Sequence, residues 1–453
     1  MASTGLTKAF GAGNRRTWTL SLWVKRSGLT GVQTIMAQED GWNGNGDAGI
    51  YFEGSKISSY NLGDTLNSGN PSKVGTNRDF RDTNAWYHLV FRFDTTQSTA
   101  SDRFRIYVNG VQETSMLYSN YPSQNYEPNF NRSTRNHGIG KQESGTAYAF
   151  DGSMSHIHFC DGYSYDASSF GETDSTTGEW KIKTSPSVSY GTTGFFILKD
   201  GNSVTDQSGN SNNWTVGSGT LTKTEDNPSN VFATINSLLP TAGTGTYQSG
   251  NTYFRSDSAS WDSALSTLSP VAGKYYFEVK VGATGNKYSI GAVDIERDSL
   301  FVNAGTSERY LGYRGMGYYG AGEIRGNNGS SEDSNLITGL TAFSNHIVGC
   351  AVDLDNNKMY WHLNGTYIQN GGYTQNPSTG SYGVDFSNNR NGTNAVAMGA
   401  SSRDGHGLEI NFGNGYFSST AVSSAGTNAS GNGIFEYDVP TGFTALSTKG
   451  LNL

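Results

Sequence analysis

The sequence predicts an all-β protein made of two tandem antiparallel β-sandwiches with long loops, and three observations carry that reading. Residues 348–365 (VGCAVDLDNNKMYWHLNG) alternate Val348, Cys350, Val352 and Leu354 with small or polar residues. The chain turns at Asp355-Asn356-Asn357 and returns through Met359, Trp361 and Leu363 to Asn364-Gly365, the pattern of a hairpin with one apolar face. Residues 88–110 repeat the plan: Leu89, Phe91 and Phe93, a polar loop over 94–102, then Phe104, Ile106 and Val108 up to Asn109-Gly110. Composition agrees. Glycine supplies 60 of 453 residues, about twice the usual ~7%, while Tyr (26) and Phe (22) far exceed Met (7). Glycine fills turns and aromatic rings fill pleated surfaces.

In chain order, residues 18–24 (WTLSLWV) place Trp18, Leu20, Leu22 and Val24 on one face of a half-buried strand. Residues 27–47 are turn-rich, 48–52 and 56–62 read as short strands, and 63–83 reads as polar loop. Residues 119–135 (SNYPSQNYEPNFNRSTR) show no periodicity and exceed the ~12–15 residues of ordinary loops, so they form a candidate binding loop. A strand over 152–160 follows, then a short helix within 164–174, with 195–198 the one strong strand of the next stretch. Pro228, Pro240 and a Gly/Thr-rich run mark 226–246 as the junction, dividing a first domain (1–225) from a second (226–453). There the alternation restarts at 274–281 (Tyr275, Phe277, Val279, Val281) and continues at 289–293, 310–313, 408–412 and 416–417. Residues 370–394 read as a Gly/Asn/Ser loop. No helix of three turns and no heptad repeat is expected.

The charge pattern excludes some partners. A net charge of −8 without any Lys/Arg cluster argues against nucleic acid. No apolar run approaches the ~20 residues of a membrane span, so no membrane insertion is expected. The N-terminal MASTGLTKAFGAG lacks the apolar core of a secretory signal. Cys160 and Cys350 fall in different domains, so no structural disulfide is expected and synthesis in a reducing cytosol fits.

These residues carry a resemblance. The second half is similar to SPRY domains through Gly273-Lys274-Tyr275-Tyr276-Phe277-Glu278-Val279, Ser289-Ile290-Gly291-Ala292-Val293 and the 348–365 hairpin. The first half resembles jelly-roll sandwiches of the concanavalin A-like, laminin-G-like kind through residues 17–25, 86–90 and 106–110. The joining pieces DGYSYDASSFGE, DQSGNSNNW and EDNPSNVFATIN resemble structural proteins of marine bacteriophage particles that join these two sandwiches. The resemblance implies a non-enzymatic virion protein, made in the host cytoplasm and displayed on tail or capsid as fibre, spike or decoration. Its implied partners are other virion proteins, further copies of itself and a host-surface glycan. A carbohydrate-active tail depolymerase is the main alternative, and a protein-binding SPRY adaptor the second.

Candidate chemistry is sparse. Rings in Gly/Asn-rich loops stack on sugars while amides bond hydroxyls, which singles out Trp42, Tyr121, Tyr126, Tyr318 and Tyr319 as ligand-binding candidates. Residues 315–320 (GMGYYG) read as exposing rings between glycines. His156, His158 and Cys160 alternate along one strand, so all three leave one face; a polar outer face is the plainer reading than a metal site, with Ile157 and Phe159 inward. Asp294-Ile295-Glu296 hints at the acidic cluster of laminarinase-type hydrolases, but Ala292 breaks the pattern and a solvated strand end is expected. No nucleophile-elbow sequence supports a Ser-His-Asp triad. No catalytic residue and no catalytic cofactor are expected. A structural calcium ion suits loop carboxylates of a laminin-G-like sandwich, and Asp40, Asp47, Asp94 and Asp102 are the loop acids, without an ordered spacing.

Overall fold

The computed structural model describes residues 4–452 apart from 39–47, 63–71, 134, 143–147, 177, 184, 200–202, 240–244, 258, 297–309 and 332. Two compact units, Met1–Lys223 and Thr224–Leu453, each carry their own core.

The first unit contains strands β1 (Gly5–Ala9), β2 (Thr17–Arg26), β3 (Val32–Gln38), β4 (Ala48–Glu53), β5 (Lys56–Tyr60), β6 (Lys73–Thr76), β7 (Trp86–Asp94), β8 (Phe104–Val108) and β9 (Val111–Gln112). β10 (Met116–Asn120), β11 (Asn136–Ile139), β12 (Gly152–Asp161), β13 (Gly171–Thr173), β14 (Trp180–Ile182), β15 (Phe195–Ile197) and β16 (Thr215–Ser218) complete it. An eight-stranded sheet runs β10-β6-β5-β4-β3-β11-β1-β16 and a six-stranded sheet β15-β12-β2-β7-β8-β9. Trp18, Leu20, Leu22 and Val24 alternate inward along β2 and meet Phe91, Phe93, Phe104, Ile106, Ile50 and Phe52 between the sheets. That alternation is legible although β2 is buried along both faces, because two of its outward positions, Thr19 and Ser21, are polar.

Stretches read as turns or loops hold strands as well. β3 lies in the 27–47 segment, β6 in 63–83, and β10 reaches into the supposed binding loop. In β3 a register shift between Thr34 and Met36 puts both Ile35 and Met36 in the core, which erases the two-residue period.

The second unit has β17 (Gly245–Gln248), β18 (Tyr253–Ser256), β19 (Asp262–Leu265), β20 (Lys274–Val281), β21 (Tyr288–Asp294), the one-turn helix α1 (Leu311–Arg314), β22 (Met316–Tyr319), β23 (Glu323–Gly326) and β24 (Ser334–Ile337). β25 (Ile347–Asp353) and β26 (Lys358–Leu363) form the predicted hairpin. β27 (Thr366–Tyr367), β28 (Gln369–Asn370), β29 (Tyr373–Thr374), β30 (Val384–Asp385), β31 (Val396–Ser402) and β32 (Gly407–Asn411) follow. One sheet runs β17-β18-β32-β20-β25-β26-β27, the other β19-β31-β21-β22-β23-β24. Trp361 is fully buried between them and donates its indole N–H to the Ile290 carbonyl at 3.0 Å. Residues 310–313, expected as strand, enter α1 instead. Tyr313 N–H returns to the Tyr310 carbonyl and Gly315 N–H to that of Leu311, while Leu311 packs with Val293 and Ala397.

In each unit a later segment covers the outer face of one sheet. In the first, Ala167, Phe170, Tyr165, Trp180, Val188 and Tyr190 lie over Val90, Tyr107 and Cys160. In the second, Phe435, Val439 and Phe443 lie over Tyr276, Ala351 and Tyr360. The same two-residue turn receives the cover in both. Asn109-Gly110 and Asn364-Gly365 have φ of 46°/84° and 47°/84°, the left-handed pair that suits Asn-Gly. Trp180 and Tyr437 lie so close to the two glycines that a Cβ there would stand 2.5 and 2.8 Å from the rings.

Beneath the second cover lies a buried polar chain. Gly365 N–H donates to His362 Nδ1 (3.0 Å), which leaves the ring proton on Nε2, 2.6 Å from the Tyr276 hydroxyl. Tyr276 in turn donates to Glu278 Oε1 at 2.9 Å, and the same carboxylate accepts the backbone N–H groups of Glu436 and Tyr437, both at 2.9 Å. Burial pushes the Glu278 carboxyl up to about 7 and His362 down to about 3. Gly349 makes room for that histidine: a Cβ there would stand 1.9 Å from His362 Nε2.

Candidate functional site

The outer face of the eight-stranded sheet in the first unit is largely buried and opens at Tyr60 and Tyr118. Register builds a row across five neighbouring strands: Thr34 on β3, Tyr51 on β4, Ser58 on β5, Gly75 on β6 and Tyr118 on β10, each paired with the next. A second row runs through Gly138, Ala37, Gly49 and Tyr60. The sequence produces these rows by alternation. In β4, Ile50 and Phe52 point into the core, and Gly49, Tyr51 and Glu53 point away.

Glycines let the rings lie along the sheet. A Cβ at Gly75 would meet the Tyr118 ring at 3.0 Å and the Ser58 Cβ at 3.2 Å. A Cβ at Gly49 would meet the Tyr51 hydroxyl at 2.6 Å and the Ala37 Cβ at 2.8 Å. Tyr60 is 37% exposed and Tyr118 38%, so both offer ring surface to solvent. Lys73 Nζ sits 4.1 Å from the Tyr118 ring centroid and 2.8 Å from Glu53 Oε2. Gln142 Nε2 donates to the Tyr51 hydroxyl at 3.4 Å. The hydroxyls of Thr34 and Ser58 are buried in the floor of this row without a hydrogen-bond partner, a situation that costs on the order of 1–3 kcal/mol per group. The open ring surface of Tyr60 and Tyr118 beside a lysine–glutamate pair suits a pyranose, whose C–H face stacks on rings and whose rim exchanges hydrogen bonds.

The residues singled out from sequence are scattered. Trp42, Asp40 and Asp47 lie outside the described residues. Tyr121 packs partly against the first core. Tyr126 is half-buried in a loop whose carbonyl at 126 accepts Thr95 Oγ1. The proposed binding loop is a clamp: Arg15 donates to the Pro128 and Glu127 carbonyls, both at 2.6 Å, Phe130 is core, and Asn131 Nδ2 reaches Asp161 at 2.7 Å. Asp161 itself accepts from four groups, adding Asn14, Thr192 and Thr193 backbone N–H.

Tyr318 is buried, with its hydroxyl donating to the Thr341 carbonyl at 2.5 Å and its ring against Phe343 at 4.9 Å. Alternation along β22 therefore corrects the reading of GMGYYG: Tyr318 points into the core and only Tyr319 points out. Tyr319 is itself half-covered by the Arg325 guanidinium at 4.6 Å and by Trp261.

The His-x-His-x-Cys strand is not a polar outer face. A bulge between Ser155 and His158, with φ of 48° at His156, breaks the alternation. His158 and Cys160 are buried under the cover, His158 bonded to the Tyr190 hydroxyl (2.8 Å) and stacked on Phe196 (3.9 Å). Burial drives the His158 imidazole down and the Cys160 thiol up. Among the described residues no group of three or more His, Cys, Asp or Glu is placed to hold a metal. Asp94 is engaged by Thr17, Thr96 and Gln97, and Asp102 by Arg105.

Asp294 is likewise buried rather than solvated. It accepts backbone N–H from Asn391 (2.7 Å) and Glu296 (2.9 Å) and staples a loop to the end of β21. Two Ser–His pairs occur among the described residues of the first unit: Ser155 Oγ with its neighbour His156 Nδ1 at 2.7 Å, and Ser21 Oγ with His88 Nε2 at 2.9 Å. The Trp180 indole N–H donates to His88 Nδ1 at 3.0 Å, so the ring proton sits on Nε2 and points at the serine. His88 thus has no lone pair free for Ser21, and burial holds the ring neutral, its pKa pushed down to about 3.

Residues 5–163 match the family model described as the concanavalin A-like lectin/glucanases superfamily. No curated protein matches the chain. Among solved structures, a native heptameric SAP-like pentraxin from Limulus polyphemus is similar at 12% identity and a TM-score of 0.27, covering 36% of this chain and 71% of that one. The SPRY domain of human HERC1 is similar at 13% identity and a TM-score of 0.26, covering 37% and 91%. The CBM40 of the Ruminococcus gnavus IT-sialidase, bound to α2,3-sialyllactose, is similar at 13% and 0.24, covering 34% and 89%. The first unit thus carries a concanavalin A-like, laminin-G-like sandwich, and the described chain is nearly all β.

Proposed function

We propose that this chain is a non-enzymatic attachment protein of a bacteriophage particle, displayed on tail or capsid, whose first sandwich binds a glycan of the host surface. The observation that carries the binding role is the ring surface that Tyr60 and Tyr118 leave open on the eight-stranded sheet, with Lys73 over the Tyr118 ring and paired to Glu53. The phage setting is supported by the joining pieces at 161–172, 206–214 and 225–236, whose resemblance is to virion proteins. Further copies of the chain and other virion proteins are its partners in this reading, because particle appendages follow the particle's symmetry.

The test is incubation of the purified full chain with surface polysaccharide of a bacterial host. Retention of the protein on the polysaccharide with no new reducing ends is expected, together with the chain's presence in multiple copies in purified particles. Release of reducing ends makes it a depolymerase instead, and particles lacking the chain overturn the virion assignment.

A further inference from the structure

The second unit exposes an aromatic pair within the Gly/Asn/Ser-rich stretch 370–394. Tyr373, on β29, and Tyr382 stack at a centroid distance of 4.8 Å with planes 11° apart. They are 60% and 47% exposed, so each ring keeps surface open beyond the face given to its partner. Exposed rings usually collapse onto the nearest apolar surface, and this pair is held away from it by the backbone. The β28–β29 hairpin turns at Gly371-Gly372, with φ of 63° and 83°, and pairs Asn370 with Tyr373. Tyr382 takes φ of 58°, a conformation that a bulky L-residue rarely adopts. Asn370 Nδ2 fixes that segment by donating to the carbonyls of Tyr382 (3.2 Å) and Gly383 (3.4 Å). Asn376 and Ser381 exchange both backbone hydrogen bonds at 3.0 Å. Below, Gly383 rests against the ring of buried Tyr360, where a Cβ would stand 2.5 Å from it.

The surroundings name the ligand's chemistry. Residues 366–383 (TYIQNGGYTQNPSTGSYG) contain no charged side chain and no histidine. Gln369, Thr374, Asn376, Ser378 and Thr379 are exposed around the rings. The Lys358 ammonium that reaches this segment is engaged by the Gly380 carbonyl at 3.3 Å, so a membrane surface or a charged peptide finds little electrostatic complement, whereas a neutral saccharide finds ring faces for its C–H surface and amides and hydroxyls for its rim. We propose that the Tyr373–Tyr382 platform is a second binding site, specific for neutral hexopyranose chains and independent of the face in the first unit.

The experiment is electrophoresis of the full chain through native gels containing a mannan, a β-glucan or a galactan, with hyaluronan as the acidic control. Retardation by at least one neutral polymer and none by hyaluronan through this site is expected. It should persist in Tyr118→Ala, which removes a ring of the first face. Tyr373→Ala should weaken the interaction by about tenfold, the scale of one lost stacking ring, with unchanged thermal unfolding. Tyr382→Gly should do the same, since glycine tolerates the positive φ. Retardation of Tyr373→Ala equal to that of the parent overturns the proposal. So does the absence of any neutral polymer that retards the chain, or a light-scattering mass that drops in both tyrosine variants, which makes a second copy the occupant. Loss in Tyr118→Ala alone would sink this site while leaving the first-unit reading intact.

Discussion

Replacing Trp361 by alanine is expected to cost the second unit about 4 kcal/mol, the range for emptying a fully buried tryptophan site. The indole fills the space between β26 and β21, and its N–H donates to the Ile290 carbonyl at 3.0 Å, a hydrogen bond the variant loses. For a unit of this size that corresponds to a calorimetric transition lowered by roughly 10 °C. The first unit has its own core and serves as internal reference. A shift of only a degree or two would mean that the hairpin is not the packing centre of its sandwich.

The second large effect is a pH dependence centred on Glu278. Its carboxyl titrates near 4.5 when exposed and is pushed up to about 7 by burial. The folded state therefore holds a proton that the unfolded chain has released, and the stability from this group is full below pH 4.5 and lost as pH rises through about 7. The linkage amounts to about 3 kcal/mol. His362 acts with opposite sign. Held neutral down to about 3 against an ordinary 6.5, it contributes stability that is full above 6.5 and lost as pH falls. Between pH 4.5 and 6.5 the two slopes nearly cancel, so the parent protein should be almost flat there and decline above it. Glu278→Gln removes one slope only. Its second unit should gain stability from pH 4.5 to 6.5 and hold it at pH 8, as read from urea midpoints at the three pH values. The Tyr276 phenol, Tyr367, Tyr437, Glu436 and Asp438 also bear on this region and are common to both proteins. A parent-minus-variant difference that does not change with pH contradicts the account.

Much of the scaffold is legible in the sequence because core-facing apolar positions alternate with small or polar ones, as Leu20 and Leu22 do with Thr19 and Ser21. The hairpins at 88–110 and 348–365 read correctly down to their Asn-Gly turns. Where alternation fails, the reading fails. β3 carries a bulge that puts the consecutive residues Ile35 and Met36 in the core. The strand at 152–160 looks polar outward because the layer that buries His158 and Cys160 arrives from residues 163–190, and a local pattern cannot report a distant cover.

The candidate face is less legible in the sequence. Tyr60 and Tyr118 come from separate strands and reach one sheet face only through register, which a single sequence does not carry. The usable signal was the Gly or Ser set beside each ring on the solvent side of a strand: Gly49, Ser58 and Gly75. Searching loops for aromatic residues selected instead Tyr318, which alternation along β22 sends inward, and Tyr121, which packs on the core.

The most direct test of that face is calorimetric titration of a host-surface glycan into the full chain and into Tyr60→Ala and Tyr118→Ala. The account predicts binding by the parent and a loss of about tenfold in each variant, one stacking ring apiece, with unfolding temperatures unchanged. Variants that bind as tightly as the parent would contradict it, and would move the ligand off the eight-stranded sheet.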